Sequence, residues 1–303
     1  MLVELTKCAV CSLAFDVGDY TSLSLHFWEL AGRSDSGHVM WLNKNITKQK
    51  TDAKTLSELL RRYFDIENVG LKQWIRKRFI ERFYGANPHP FVIALQHPSR
   101  ATLLGYVVEH QHFLHQWTRS CAYIIAKTDK DDVTLYELDN INTEFGGYGP
   151  EKPSHYELLL RMGESLGFPR SKLSLIPPLP ATASAIRTWN GIAEKEHWLE
   201  TMAAMHPLEL IADRNLMKDG ATVHYFDPSI LDGKEITEEA KSFLREGYEA
   251  DVEHSENALN LIQKYSPQFH KVEEVQASFL RSVQAFDEYL MARLQRSKEF
   301  EST

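Results

Sequence analysis

From residue 53 to residue 297 the apolar residues recur every three or four positions, segment after segment, and no stretch after residue 50 sustains the alternation of a strand. That single property restricts the chain to helix-on-helix packing. The periodicity predicts helices over 53–64 (AKTLSELLRRYF), 71–84, 90–97, 99–127, 133–145, 155–167, 182–213, 237–264 and 269–297. Between them lie Gly- and Pro-rich breaks such as GGYGPEKPS at 146–154 and PPLP at 177–180. The expected architecture is an all-α bundle of about seven helices over 66–303, preceded by an extension over 1–65 in which short strands or helices are equally open.

The bulk properties exclude several classes. A net charge of −8 argues against the phosphate backbone of a nucleic acid as main partner. The basic run KQWIRKRFIER at 72–82 is interleaved with apolar residues, as on a solvated helix face. No apolar run approaches the roughly 18 residues of a membrane helix. The start, MLVELTKCAVCSLAF, lacks the pattern of a secretory leader, so a cytoplasmic location is expected. Three cysteines make no disulfide framework. Cys8 and Cys11 form a C-x-x-C pair, but no second pair follows at zinc-ribbon or finger spacing, so zinc is not expected there. Cys121 reads as a small core residue.

Polar residues on buried stripes carry the functional signal. In GYEADVEHSENALNL, helical spacing aligns Leu244, Gly247, Asp251, His254, Ala258 and Leu261. A carboxylate on such a face is costly unless paired or metal-bound. His155 opens a stripe continued by Leu158, Leu159, Met162 and Leu166, and Glu209 interrupts the apolar run PLELIA. Glu144 ends the helix before the glycine loop, so it can approach His155 across that loop. Glu109 and His112 form the chain's one Glu-x-x-His, within EHQHFLH. Taken singly, each of these also suits a hydrogen-bonded boundary residue. Taken together, carboxylates and imidazoles directed inward from facing helices are how di-iron and di-manganese centres are built.

Four segments resemble the heme-oxygenase-like superfamily, which includes pyrroloquinoline-quinone synthase, the thiaminase-II relatives and the di-iron oxidases of this fold. They are PHPFVIALQHPSRATLLGYVVEHQHFLHQW, NINTEFGGYGPEKPSHYELLLRMGESLGF, EKEHWLETMAAMHPLELIADRN and REGYEADVEHSENALNLI, within residues 70–290. The resemblance implies a heme-oxygenase-like bundle. Its di-iron branch carries six ligands, and Glu144, His155, Glu209, Asp251 and His254 fall on five of those places. The sixth, a histidine, is Gly247 here, leaving Glu109 or His112 to complete the second site. The resemblance thus implies one or two iron(II) ions, dioxygen as co-substrate, and a small carboxylate-bearing substrate such as an amino acid or fatty acid, in a biosynthetic oxidase. Arg214 and Lys218, just beyond Glu209, are the candidate anchors for the carboxylate. The alternative on the same fold is a metal-free oxidase of the quinone-synthase type or a thiaminase-like hydrolase, the latter with Cys121 as its one plausible nucleophile. A homodimer is the family's habit.

Overall fold

The computed structural model describes residues 5–66 and 69–301, with the side chains of 5 and 249–253 outside that description. A short hairpin of β1 (Leu5–Lys7) and β2 (Ala14–Asp16) opens the chain, paired antiparallel with Thr6 opposite Phe15. Three helices follow: α1 (Tyr20–Gly32), α2 (Ser36–Asn45) and α3 (Ala53–Phe64). Each starts at an aspartate, Asp19, Asp35 or Asp52, whose carboxylate accepts a backbone N–H of the first turn.

The bundle comprises α4 (Gly70–Phe83), α5 (Pro90–Ala94), α6 (Arg100–Lys127), α7 (Asp131–Ile141), α8 (His155–Ser165), α9 (Arg170–Leu173), α10 (Pro180–Lys195), α11 (Trp198–Met205), α12 (Glu238–Tyr265) and α13 (Val272–Ser297). Helix α13 is the centrepiece and packs along α6, α10 and α11. The core is aromatic: Trp74, Trp117, Trp189, Trp198, Phe279 and Tyr289 are fully buried. Buried polar tips find partners, as where the Trp189 indole N–H donates to Ser282 Oγ at 2.9 Å. The all-α expectation holds.

The helix expected over 182–213 is three elements. Helix α10 stops at Lys195 because Lys127, at the end of α6, donates its ammonium to the carbonyls of Ala193, Glu194 and Glu196. His197 then caps α11, with Glu200 completing a capping box. Pro207 removes a backbone donor, and the chain continues as a 3₁₀ turn, His206–Ile211. The helix expected over 133–145 likewise ends at Ile141 and gives way to a π-helical turn, Asn142–Gly146.

Glu196 and Glu200 lie together at this break. Burial, with Glu196 as neighbour, pushes the Glu200 carboxyl up to about 7, while burial of Glu196 is outweighed by hydrogen bonds from Glu200 and Arg281 that hold it near 2. One proton is therefore shared, and Glu200 carries it. A carboxyl raised in the folded state contributes stability that is present below pH 4.5 and lost as pH rises through about 7. Between pH 5.5 and 8.5 the wild type is expected to lose about 2 kcal/mol more than Glu200→Gln, which keeps a hydrogen-bond donor but does not titrate. Urea unfolding of both proteins at the two pH values measures this, and equal losses would refute the shared proton.

Candidate functional site

A cavity opens between α6, α8, α12, α13 and the 3₁₀ turn. Tyr106, Phe113, Trp117, Phe243 and Phe286 form its apolar walls. Its polar lining comprises Glu144, His155, Glu209, His110 and Arg293.

Three residues singled out in the sequence, Glu144, His155 and Glu209, thus share one cavity. Glu144 projects from the π-turn, and its Oε1 is 2.9 Å from Nδ1 of His155, the first residue of α8. Two features fix this approach. The loop returns through Gly147, whose φ of 74° and close approach to Ser154 leave no room for a side chain. Phe145 then stacks on Tyr156 with centroids 4.9 Å apart, clamping the turn to α8. Glu209 reaches the cavity from the 3₁₀ turn.

His254 lies behind this group on α12. Burial pushes its imidazole pKa down, opposed by the Glu144 carboxylate and reinforced by His155. Its Nδ1 is buried without a hydrogen-bond partner. Asp251 is one turn away on the same helix, and its side chain lies outside the described residues. Gly247 lines the cavity, so the place of the absent sixth histidine belongs to the pocket wall.

Four other expected residues lie outside this cavity. Glu109 is fully buried but outside the cavity: it accepts from Arg296 Nε at 2.7 Å, from Leu179 N at 3.2 Å and from the Thr182 hydroxyl. It is the paired carboxylate of a structural ion pair, with its lone pairs spent. His112 lies beside the Ile176 backbone and does not line the cavity. Arg214 is exposed over the Tyr248 ring, 5.7 Å from its centroid. Lys218 is exposed and donates to Asn215 Oδ1 at 3.1 Å. Neither cation borders the pocket, because the chain after Ile211 turns away as a second 3₁₀ turn, Arg214–Met217.

The pocket's cation is Arg293, 2 % exposed on α13. Its guanidinium donates to Tyr225 Oη at 3.0 Å, Tyr289 Oη at 2.6 Å and His110 Nδ1 at 2.8 Å. No described carboxylate comes within 4.0 Å of it. His110 is held neutral, because burial and then Arg293 lower its pKa well below the ordinary value. Its Nδ1 accepts, which leaves the ring proton on Nε2. A sequence signal for Arg293 existed: Phe286, Tyr289, Leu290 and Arg293 follow helical spacing, so the arginine falls on an apolar stripe.

Cys121 does not line the cavity. It is 1 % exposed, clustered with Glu137 and His206, whose ligand atoms lie within 4.8 Å of one another. His206 Nε2 is 2.8 Å from Glu137 Oε1, and the Tyr136 hydroxyl lies 3.2 Å from both His206 Nδ1 and the His254 carbonyl. This buried network braces α12 beside His254. The other described cluster of this kind is in the N-terminal unit, where Cys8, Cys11, His26 and His38 converge. His26 and His38 come from two helices, not from one finger-spaced pair, so the spacing of the sequence does not reveal them.

None of the curated proteins matches the chain. Residues 5–65 match the profile of the C2H2 type zinc-finger (1 copy). Among solved structures, the chain is similar to a domain of unknown function with a heme oxygenase-like fold from Shewanella denitrificans, at 16% identity over 84% of this chain and 97% of that one, with a TM-score of 0.54. It is similar to a TenA homolog from Pseudomonas syringae, at 14% identity over 79% and 92%, TM-score 0.54. It is also similar to a CADD-like protein of unknown function from Nostoc punctiforme, at 19% identity over 76% and 96%, TM-score 0.54. At such identities the likeness is one of fold, and the fold is the heme-oxygenase-like bundle. Residues 74–296, most of the chain and all the residues lining the cavity, match the profile of the TENA/THI-4/PQQC family, and the chain therefore belongs to that family.

Proposed function

We propose that the chain is an enzyme acting on a small anionic molecule in the Arg293 cavity, with iron(II) held by Glu144, His155, Glu209, His254 and Asp251. The observation that carries this reading is the composition of one cavity: two carboxylates and two imidazoles beside a buried guanidinium that no described carboxylate neutralises. The donors suit iron. They are oxygen and nitrogen without thiolate, and the partnerless Nδ1 of His254 is a buried lone pair or N–H in need of a role. Among the described residues they do not form a closed cluster: Glu144 and His155 touch, and Glu209 stands further off. Bound iron would supply dioxygen activation. The chain's own groups would do the rest: Arg293 orients the substrate anion, the aromatic walls exclude water, and Tyr136 and His206 fix the backbone that carries His254.

The second reading is metal-free chemistry of the TenA or quinone-synthase kind on the same cavity. The family match and the TenA homologs among the structural neighbours favour it over the iron reading. Within it, a cysteine-dependent thiaminase has no cysteine among the described cavity residues, and Cys121 is sealed in the Glu137–His206 cluster. Neutral His110 and the Glu144–His155 pair would then serve as the acid and base groups.

Anaerobic iron(II) titration separates the two. The first reading expects tight binding, weakened at least about tenfold in Glu144→Gln and His155→Ala. Failure of the wild type to bind iron, with substrate turnover persisting in chelator, would establish the second.

A further inference from the structure

We propose that Cys121, Glu137 and His206 hold one zinc ion, in a buried centre within the bundle that is separate from the cavity. Cys121 lies on α6, Glu137 on α7, and His206 opens the 3₁₀ turn. All three side chains are buried, and none of them lines the cavity. Their donor atoms, a thiol sulfur, a carboxylate oxygen and an imidazole nitrogen, all lie within 4.8 Å of one another. A tetrahedral zinc with Zn–S of about 2.3 Å and Zn–N and Zn–O of about 2.0 Å has edges of about 3.3–3.5 Å. His206 Nε2 is 2.8 Å from Glu137 Oε1. That edge opens by about 0.5 Å when an ion enters.

Two observations call for a cation here. The first is Glu137 itself. Its Oε2 is buried without a hydrogen-bond partner, and no described lysine or arginine lies within 4.0 Å of the carboxylate. The neighbouring thiol is a weak donor. Burial and then the Glu137 carboxylate push the Cys121 pKa well up, and a coordinated metal reverses that by deprotonating the thiol. The second is the orientation of His206. The Tyr136 hydroxyl lies 3.2 Å from both the His254 carbonyl and His206 Nδ1. It has one proton, and a carbonyl only accepts. A proton given to His254 leaves the hydroxyl to accept from Nδ1–H, so Nε2 presents its lone pair to Glu137. Two acceptors 2.8 Å apart are held by a shared cation, and Tyr136 is the outer group that orients the ligating ring. Zinc with one thiolate and one carboxylate is neutral overall, so the centre leaves no net charge in the interior. Sulfur and imidazole donors select zinc over magnesium or calcium. Glu137, binding through both oxygens, completes four donors and leaves no open position, as in a structural site.

The position of the centre gives the ion its task. Helix α7 runs on into the π-turn that bears Glu144, and His206 begins the 3₁₀ turn that bears Glu209. Cys121 ties both to α6, whose Trp117 walls the cavity and meets the His206 ring edge-on with centroids 5.0 Å apart. The zinc therefore fixes the backbone beneath both cavity carboxylates from outside the cavity, whether or not iron binds there.

The chain has three cysteines, so full-length Cys8→Ser/Cys11→Ser retains Cys121 as its only thiol. Because the ligands have no solvent face, the metal is supplied during folding, by expression in cobalt-supplemented medium. This variant is expected to show tetrahedral cobalt(II) bands with the charge-transfer feature of about one thiolate per chain. Adding Cys121→Ala should abolish that feature. Adding Glu137→Gln, which keeps the shape of the side chain, should weaken it at least about tenfold after a chelator wash. Adding Glu144→Gln/His155→Ala, altered only in the cavity, should leave it in place. In an otherwise wild-type chain, Cys121→Ala should bind about one cobalt fewer than the wild type. A folded Cys8→Ser/Cys11→Ser protein without the feature overturns the site. So does a feature that persists with Cys121→Ala or disappears with the cavity substitutions. If the serine variant loses its helical signal, the single Cys121→Ala variant decides, and a cobalt content equal to the wild type's overturns the site. A feature undiminished by Glu137→Gln overturns the carboxylate's place among the ligands.

Discussion

Gly105→Ala is expected to lower the free energy of unfolding by about 3 kcal/mol, read as a shift of the urea midpoint of the helical signal. Gly105 is the point of closest approach between α6 and α13. A Cβ there would collide with the Arg293 carbonyl oxygen and lie 2.7 Å from Ser297 N and 3.0 Å from Ser297 Cα. All three are backbone atoms of a buried helix, so no rotamer change relieves the clash. Gly191 on α10 provides the contrast, since nothing lies within 4 Å of its added Cβ. There the same substitution gains helix propensity and should stabilise by about 0.5–1 kcal/mol. Equal effects at the two positions would contradict the packing described for α13.

Arg293→Met is expected to abolish the response of the cavity to small carboxylates. For the wild type, thermal stabilisation by a panel of aliphatic and aromatic monocarboxylates should saturate. In the variant the affinity should fall at least about thirtyfold, which corresponds to the roughly 2 kcal/mol or more that a buried charged partner carries. The apo protein should change by less than about 1 kcal/mol, because removing a buried guanidinium that lacks a counter-ion also removes its desolvation cost. Arg293→Lys should recover part of the response and lose the hydrogen-bond fork shared with Tyr225, Tyr289 and His110. Unaltered carboxylate binding in Arg293→Met would mean that the anion is recognised elsewhere.

Helical periodicity made the bundle legible from the sequence alone, and α3, α8, α12 and α13 follow their apolar stripes closely. What escaped was set by distant residues. The break between α10 and α11 depends on Lys127, which belongs to another helix. In the cavity, His155 and Glu209 are legible as polar residues on apolar faces, and Glu144 by its place at a helix end across the glycine loop from His155. Arg293 is legible by helical phase, on the stripe of Phe286, Tyr289 and Leu290, whereas chain proximity to Glu209 points to Arg214 and Lys218 instead. Glu109 shows the converse: a buried acid signals a partner, and here the partner is Arg296, from the far end of the chain. His26 and His38 were hidden because their convergence depends on the turn between α1 and α2, which no fixed spacing encodes.

The π-turn at Asn142–Gly146 has a consequence for how this cavity could change over time. A π-turn is an α-helix with one residue too many. Deleting a single residue there would let α7 continue as an ordinary helix and swing position 144 by about 100° around the axis, the angle one residue subtends. One codon's loss would thus turn the glutamate away from His155 while leaving the rest of the bundle intact. The wide angular pitch of five residues is, in that sense, a hinge in sequence space between a cavity with this carboxylate and one without it.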